Sequence, residues 1–277
     1  MDFTFLEGLL YAFVSGLAEF MPVSSAAHRH IMLKLFGMNT AHPMMDLFVH
    51  GGALFAVLMS CKNQIRKLQR EDRLRKIPRQ RRKRQPDPAT ISDSAFLKTA
   101  CVPLLIGFLF YFGIHNWENA LPLSAIFLLV NGLVLHIPQY FPTGNKDSRN
   151  MTRLDSLAFG ALSVLGMIPG LSRIALNGSY AALRGADFEH TYKWSLLIMI
   201  PSLIALSIFD IIFLFSASYS GFGLLFVFQC ILAAGLSWLG ATLSINLMRA
   251  WVKNGLGGFS YYCWGAAMFA FILYLYA

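Results

Sequence analysis

Six apolar stretches constrain this chain more than any other feature of its sequence, because each is about as long as a helix that crosses a bilayer. A membrane span requires roughly 17 to 25 mostly apolar residues. The stretches cover residues 44–61, 95–114, 121–137, 192–215, 222–247 and 256–277. Only 13% of the 277 residues are charged, about half the usual share in soluble domains. The sequence therefore predicts an all-α integral membrane protein with six transmembrane helices, built as a single polytopic domain over residues 1–277.

The positive charge of the chain is concentrated between the first two of these stretches. The formal net charge is +9, and residues 62–84 carry 12 basic and 2 acidic side chains. Such a run is able to bind nucleic acid or anionic lipid. Its position beside a span favours the alternative that it orients the protein, with a loop over residues 62–93 in the cytoplasm. We therefore expect no nucleic-acid partner and keep anionic lipid as a candidate partner for residues 62–84.

Two further apolar regions, residues 3–36 and 154–183, are interrupted by polar residues, Pro and Gly. Each region is long enough for a helix, a turn and a second helix. Polar or non-helical backbone at membrane depth persists only where it is buried in protein or lines a wet cavity. We therefore predict that each region is a re-entrant helical hairpin.

The two predicted hairpins enter the membrane from opposite sides. With the basic loop inside, the first hairpin enters from the outside and the second from the cytoplasm. Each contains a Pro followed two or three residues later by Ser, at Pro22 and Ser24 and at Pro169 and Ser172. This pattern is typical of an inverted-topology repeat that encloses a site near the membrane midplane.

The first hairpin region contains three side chains that are able to perform chemistry together. Glu19 offers a base or a cation ligand, Ser25 a nucleophile, and His28 an acid or an orienting group. The alternative is a polar cluster that packs two helices or lines a water-filled cavity. Ionisable residues within membrane segments favour a functional role.

The second region contributes the sequence PGLSR at residues 169–173. A Gly before a helix start exposes backbone amides, and Arg173 supplies a fork of donors that matches phosphate oxygens. The alternative is a helix-breaking Pro-Gly pair whose Arg pairs with a carboxylate such as Glu19. We hypothesise that an anion is held between Arg173 and polar groups of the first hairpin.

The segments GLAEFMPVSSAAH (residues 16–28) and IPGLSR (residues 168–173) resemble the two signature segments of the bacterial undecaprenyl-pyrophosphate phosphatases of the BacA/UppP bacitracin-resistance type. The resemblance implies hydrolysis of undecaprenyl (polyprenyl) diphosphate to the monophosphate, which recycles the lipid carrier of cell-wall synthesis, with a divalent cation such as Mg²⁺ or Ca²⁺. It also implies a bacterial cytoplasmic (inner) membrane location, six spans, two re-entrant hairpins and an active site that opens to the outer face. A homodimer is a further expectation.

Roles are carried over from the resemblance position by position. The catalytic candidates are Glu19, Ser25, His28 and Arg173, and the substrate-binding candidates are Ser24, Gly170, Ser172, Arg173 and Asn177. Glu19, with Asp46, is the candidate metal ligand.

Several positions depart from the family pattern. The first Glu of its ExxxE motif falls on Ser15, the Ser after the motif Arg on Ile174, a following Thr on Asn177, a preceding Gln on Ser163, and a Thr-Gly pair on Ala26 and Ala27. Losing one of two carboxylates weakens the binding of a hard cation. Asp46 and Glu7 are the candidates to replace it.

Three hypotheses follow. In the first, the protein is a phosphatase in which Ser25, activated by His28, or a water attacks a diphosphate held near Arg173 and a cation. In the second, it is a non-catalytic polyprenyl-phosphate binder or flippase on the same scaffold, which the residues Ser15 and Ile174 favour. In the third, it is an accessory membrane protein that acts through residues 62–84.

Overall fold

A computed structural model of the chain describes residues 3–114, 121–142, 144–216 and 223–276, with the side chains of 109–114 and 216 left aside. The predicted span ends at Phe222 and Ala277 lie outside the described residues. The described residues form ten α-helices and no β-structure beyond an isolated bridge between Lys146 and Ala186. The helices are α1 (Phe5–Glu19), α2 (Ser25–Leu35), α3 (Pro43–Lys76), α4 (Pro88–Ile114), α5 (Leu121–His136), α6 (Arg153–Leu165), α7 (Arg173–Leu183), α8 (Phe188–Ser216), α9 (Leu224–Trp251) and α10 (Phe259–Tyr276).

Six of these helices are long and apolar enough to cross a membrane: α3, α4, α5, α8, α9 and α10. Each overlaps one of the six predicted stretches, and together they confirm the all-α membrane class. Pro103 and Pro201 lie inside α4 and α8, where neighbouring helices in a membrane protein satisfy the freed backbone groups. Large apolar side chains such as Leu225, which is 71% exposed on α9, cover the outer surface of the bundle. In a membrane this surface faces lipid.

The four remaining helices form two pairs, each joined by a short turn. The first helix pair, α1 and α2, covers residues 5–35, and the second helix pair, α6 and α7, covers residues 153–183. Both pairs are the helix, turn and helix expected from the interrupted regions. Their re-entrant position in the membrane stays a prediction.

Four main helix contacts relate the first five helices to the last five. Helix α1 packs along α9, and α6, its counterpart, packs along α4; α3 pairs with α8 and α5 with α10. Exchanging the two halves maps these contacts onto one another, as a repeat of five helices predicts. The inverted orientation of the two halves in the membrane stays a prediction.

Glycines allow the backbones of the paired helices to approach closely. A Cβ atom on Gly16 of α1 would lie 2.2 Å from the Ser237 carbonyl oxygen of α9, and one on Gly160 of α6 would lie 2.0 Å from the Ala100 carbonyl oxygen of α4. Small residues at such contacts are typical of helix packing in membranes.

The basic segment is mostly helical, so the predicted loop over residues 62–93 is wrong in its extent. Helix α3 continues to Lys76 and α4 begins at Pro88, which leaves residues 77–87 as the connection. The physical reason is that Lys, Arg, Gln and Glu are strong helix formers and the first Pro in the segment is Pro78. With 34 residues, α3 is about 51 Å long, well beyond the roughly 30 Å hydrocarbon core.

Ion pairs hold this extension of α3 against the connection and the first turns of α4. Glu71 pairs with Arg84, Asp72 pairs with Lys98, and the Lys67 Nζ atom lies 3.0 Å from the Asp87 carboxylate. The two helices therefore remain joined where they leave the apolar region.

Candidate active site

A cavity of about 430 Å³ lies between the two helix pairs and is completed by α3 and α8. We call it the central cavity. Its ionisable lining includes three carboxylates, two guanidiniums and two imidazoles: Glu19, Asp46, Asp210, Arg29, Arg173, His30 and His50. This concentration of charge in a chain with few charged residues makes the cavity the candidate active site.

Glu19, the last residue of α1, is shared by the two helix pairs. One carboxylate oxygen accepts a hydrogen bond from Arg173 Nη2 of α7, and the other accepts one from Ser25 Oγ of α2. Glu19 and Arg173 are each only 8% exposed. The structure thus brings three of the four predicted catalytic residues into one contact group.

Arg173 retains an unused donor in this group. Within the described part of the chain, its Nη1 atom is buried and has no hydrogen-bond partner, although the side chain lines the central cavity. A buried guanidinium nitrogen without an acceptor is costly. An anion in the cavity would supply that acceptor.

Ser24 fixes the turn of the first helix pair in an unusual conformation. Its φ of 63° lies in the left-handed region, which costs free energy for a residue with a Cβ atom. The Ser24 hydroxyl accepts hydrogen bonds from the Ala27 amide (3.4 Å) and the Gly170 amide (3.0 Å). Ser24 therefore caps α2 and joins the start of this helix to the turn between α6 and α7.

Gly170 and Ser172, both predicted to bind substrate, shape the turn of the second helix pair. Gly170 has a φ of +102°, and a Cβ atom there would lie 2.5 Å from the Ser124 carbonyl oxygen, so only glycine fits. Gly170 does not line the central cavity, whereas Ser172 does. The Ser172 hydroxyl caps α7 by accepting from the Ala175 amide.

Asn131 of α5 holds both turns, and the sequence reasoning missed it. The side chain is fully buried. Its Nδ2 atom donates to the Pro22 carbonyl (2.9 Å) and its Oδ1 atom accepts from the Ser172 amide (2.8 Å). The sequence does indicate such a role, because Asn131 has the one amide side chain in the apolar stretch 121–137, and a polar group there must find hydrogen-bond partners within the protein.

In the phosphatase hypothesis His28 activates Ser25, but the structure does not place the imidazole against the Ser25 hydroxyl. Its Nδ1 atom donates to the Ser24 carbonyl (2.8 Å), so Nε2 accepts from the Tyr262 hydroxyl of α10 (2.7 Å). The two rings also stack, with centroids 5.7 Å apart. Since Ser25 Oγ donates to Glu19, the carboxylate is the base within reach of the Ser25 hydroxyl.

Asn177 also lies away from the central cavity. It is fully buried on α7 and its amide donates to Ser163 Oγ at 2.8 Å. Both residues stand at positions where the chain departs from the family motifs. The contact links the two helices of the second pair, and a direct substrate role for Asn177 stays a prediction.

A second polar group on the cavity wall has no local motif in the sequence. Arg29 Nη1 lies 3.5 Å from Asp46 Oδ1 and 3.2 Å from His50 Nε2. His50 Nδ1 lies 2.6 Å from Asp210 Oδ2 of α8, and the Tyr11 hydroxyl donates to Asp46 Oδ1 at 2.7 Å. Packing of α3 against α8 and α1, with α2 packed on α1, assembles this group from distant parts of the chain.

The carboxylates do not form a ready cation cage. Asp46 is engaged by Tyr11 and Arg29, and Glu19 by Ser25 and Arg173. Among the described residues, no three His, Cys, Asp or Glu side chains lie together as a metal site would require. Glu7 pairs with the Thr4 backbone at the start of α1 and is outside the cavity lining, so it does not replace the missing carboxylate.

The starts of three helices face the central cavity. Ser25 and Ala26 of α2, Arg173 of α7 and Pro43 of α3 all line it. Because a helix N-terminus carries partial positive charge, this arrangement adds to the guanidiniums in favouring an anion.

Known proteins match the chain over most of its length. The family model described as "Bacitracin resistance protein BacA" matches residues 8–269. Undecaprenyl-diphosphatase 1 of Shouchella clausii is 31% identical over 274 residues, covering 96% of this chain and 95% of the relative. An undecaprenyl-diphosphatase of Methanobrevibacter smithii is 27% identical, covering 96% of each chain. Because the family model spans nearly the whole sequence and both helix pairs, the chain belongs to the BacA bacitracin-resistance protein family.

Proposed function

We propose that this protein is a membrane phosphatase that hydrolyses undecaprenyl diphosphate to the monophosphate, which returns the lipid carrier to cell-wall synthesis. The names of the relatives that match over nearly the whole chain support this reaction. The observation that carries the proposal is the contact of the half-buried Ser25 with the buried Glu19 and Arg173 on the wall of the central cavity. Within it, a nucleophile, its base and an anion-binding donor meet.

In the first step, Ser25 Oγ attacks the terminal phosphorus. Its proton passes to Glu19, to which the hydroxyl already donates a hydrogen bond. The new Oγ–P bond forms while the bond from the terminal phosphorus to the bridging oxygen breaks, and undecaprenyl monophosphate leaves. Arg173 binds the terminal phosphate through its unused Nη1 donor, and such positioning and charge neutralisation supply most of the rate in phosphoryl transfer.

In the second step, water attacks the phosphorus of the phosphoserine. The O–P bond to Ser25 breaks, the Ser25 oxygen recovers a proton from the attacking water, and inorganic phosphate leaves. Glu19 then releases the proton that it accepted in the first step. The carboxylate and the hydroxyl return to the hydrogen-bonded arrangement of the structure.

The charge of the cavity supports a divalent cation that arrives with the substrate. Its lining carries three carboxylates and two guanidiniums, so with neutral histidines it has no positive excess to balance a diphosphate. Mg²⁺ is usually held by one or two carboxylates together with substrate phosphates, and Ca²⁺ also prefers oxygen ligands. Such a cation would be held mainly by the substrate phosphates, whose charge it would neutralise, because the two candidate ligands, Glu19 and Asp46, are already engaged by Arg173 and Arg29.

We further propose the membrane placement that the basic segment predicts. Residues 62–84 would lie at the cytoplasmic side of the bacterial inner membrane, beside anionic lipid headgroups, and the central cavity would open toward the outside. A homodimer stays a prediction, which the mass of the detergent-solubilised protein tests.

The deciding experiment is release of inorganic phosphate from undecaprenyl diphosphate by the purified protein, with Mg²⁺, with Ca²⁺ and with EDTA. We expect cation-dependent release that Ser25→Ala and Arg173→Ala abolish. Ser244→Ala is the matched control, because the hydrogen bond that Ser244 Oγ makes among the described residues lies within its own helix, to the Ala241 carbonyl. No release by the wild-type protein, with polyprenyl phosphate still bound, would instead support the binder or flippase hypothesis, which the names of the relatives do not favour.

A further inference from the structure

The central cavity contains a second guanidinium that the proposed reaction does not use. Arg29 belongs to α2 in the first half of the protein, and Arg173 begins α7, the counterpart of α2 in the second half. Both side chains line the same cavity. Attack by Ser25, its base Glu19 and the hold on the terminal phosphate by Arg173 are complete without Arg29.

The surroundings of Arg29 hold its guanidinium in a fixed position. Its Nη1 atom lies 3.5 Å from Asp46 Oδ1 and 3.2 Å from His50 Nε2. Since arginine only donates, Nε2 of His50 is the acceptor. The proton of the neutral imidazole is therefore on Nδ1, which donates to Asp210 Oδ2 at 2.6 Å.

Asp46 is fixed in the same way, by the Tyr11 hydroxyl at 2.7 Å. Residues of α1, α3 and α8 thus position one arginine of α2. The Arg29 side chain nevertheless keeps 17% of its surface exposed, at the wall of the cavity. This is the arrangement of a preorganised binding group rather than of a packing residue.

Arg29 also has a fixed relation to the proposed nucleophile. Ser25 and Arg29 are four residues apart on α2, so their side chains lie on one helix face about 5 to 6 Å apart at Cβ. A phosphorus attacked by Ser25 has its leaving group on the side opposite the nucleophile. In a diphosphate this leaving group is the second phosphate, which needs its own countercharge.

We propose that Arg29 binds the lipid-proximal phosphate, so that the cavity selects a diphosphate over a single phosphate. This inference rests on the proposed function, from which it takes a lipid diphosphate as the substrate. Asp46 and His50 act as positioning residues for Arg29, and the planar guanidinium suits two phosphate oxygens at once. Each arginine then serves one phosphate.

The test measures binding without turnover, on the intact protein in lipid nanodiscs. Calorimetry compares methylenediphosphonate, a diphosphate analogue that cannot be cleaved at its bridge, with inorganic phosphate. We expect the wild-type protein to bind the diphosphonate more tightly. Arg29→Gln should weaken diphosphonate binding by about tenfold or more, as the loss of charge-assisted hydrogen bonds does, and should change phosphate binding little.

Controls separate this effect from damage to the fold. Arg184→Gln removes an arginine that is likewise paired with an aspartate, Asp155, at the far end of α7, and should leave the binding of both ligands unchanged. Arg29→Lys keeps the charge beside Asp46 and should lose only part of the preference. A wild-type protein without preference, or equal losses for both ligands in Arg29→Gln and Arg29→Lys, would overturn the inference.

The experiments distinguish a failure of this inference from a failure of the proposed function. If the wild-type protein releases no phosphate from undecaprenyl diphosphate but prefers the diphosphonate through Arg29, the two-phosphate site stands and the phosphatase does not. If it releases phosphate while Arg29→Gln keeps the wild-type preference, only the role of Arg29 is lost.

Discussion

The Glu19 carboxylate and the Arg173 guanidinium form a buried ion pair that joins the end of α1 to the start of α7. Each residue is 8% exposed, so neither charge is well solvated by water. Removing one partner of such a pair leaves the other charge buried and unpaired, which destabilises the folded protein. The contact therefore links the fold of the two helix pairs to the chemistry of the central cavity.

Removing both partners of this pair should destabilise the protein by clearly less than the two single removals added together. Glu19→Gln and Arg173→Met each leave one buried charge unpaired, at a cost of about 3 to 5 kcal/mol in the free energy of unfolding. The double variant should lose clearly less than the sum of the two. Unfolding titrations of all four proteins in one detergent measure the coupling, and additive losses would contradict the buried pair.

Glu19 rather than His28 should be the base for Ser25. Glu19→Gln is expected to lower the rate of phosphate release by about a hundredfold or more, the usual effect of losing a general base. His28→Gln should stay well above that rate, because His28 contacts the Ser24 carbonyl and Tyr262 instead of Ser25.

Tyr262→Phe provides the matched test of this assignment. It removes the hydroxyl that bonds to His28 and should reproduce the mild effect of His28→Gln. Single-turnover rates at saturating substrate make the comparison. An equal collapse of activity in Glu19→Gln and His28→Gln would restore the imidazole as the base.

The glycine contacts between the paired helices should not tolerate a methyl group. In Gly160→Ala the new Cβ would lie 2.0 Å from the Ala100 carbonyl oxygen, so α6 and α4 must separate. We expect a loss of about 1 to 3 kcal/mol in the free energy of unfolding, as for other overpacked contacts. In Gly235→Ala on α9 the new Cβ meets no atom of another described residue within 4 Å, so this change should be neutral or stabilising. Thermal unfolding in detergent compares the two.

The link between α3 and α4 should weaken in acid. Hydrogen bonds from Thr90 and from Lys67 lower the pKa of Asp87 to about 2, below the value of about 3.9 in an unfolded chain. A carboxyl with a lowered folded pKa adds stability that is fully present above the unfolded pKa and is lost as the pH falls through the folded pKa. The window therefore runs from about pH 4 down to about pH 2.

Asp87→Asn isolates this contribution from that of the other carboxylates. The difference in Tm between the wild-type protein and this variant should be largest above about pH 4 and should shrink toward zero near pH 2. A difference that is constant over this range would show that the Asp87 carboxylate does not stabilise the folded state.

Local patterns predicted the parts of the structure that depend on local physics. The six spans followed from the lengths of apolar stretches, and the turns followed from Pro22 and Pro169 with their following serines. The pairing of Arg173 with Glu19 was already one of two alternatives for that arginine. The length of α3 was missed because charge was given more weight than helix propensity.

The cavity wall depends on tertiary packing, which the sequence does not display. Asp210 contacts His50 only because α8 packs against α3, across 160 residues of chain. Similarly, His28 and Arg29 are neighbours in sequence, but the start of α2 at Ser25 directs Arg29 to the cavity and His28 to Tyr262. A shift of one residue along α2 is therefore enough to turn a side chain from Tyr262 toward the cavity.

The hydrogen bonds of Asn131 also bear on how this protein is able to move. One rigid amide on α5 holds the Pro22 carbonyl of one half and the Ser172 amide of the other. A carrier that exposes its site alternately to each side must separate its halves around that site, and here that motion would leave buried polar groups without partners. A hydrolase has no such need, since its lipid substrate and product can leave through the opening by which the substrate entered. The side chain of Asn131 thus favours a stationary catalyst over a moving transporter.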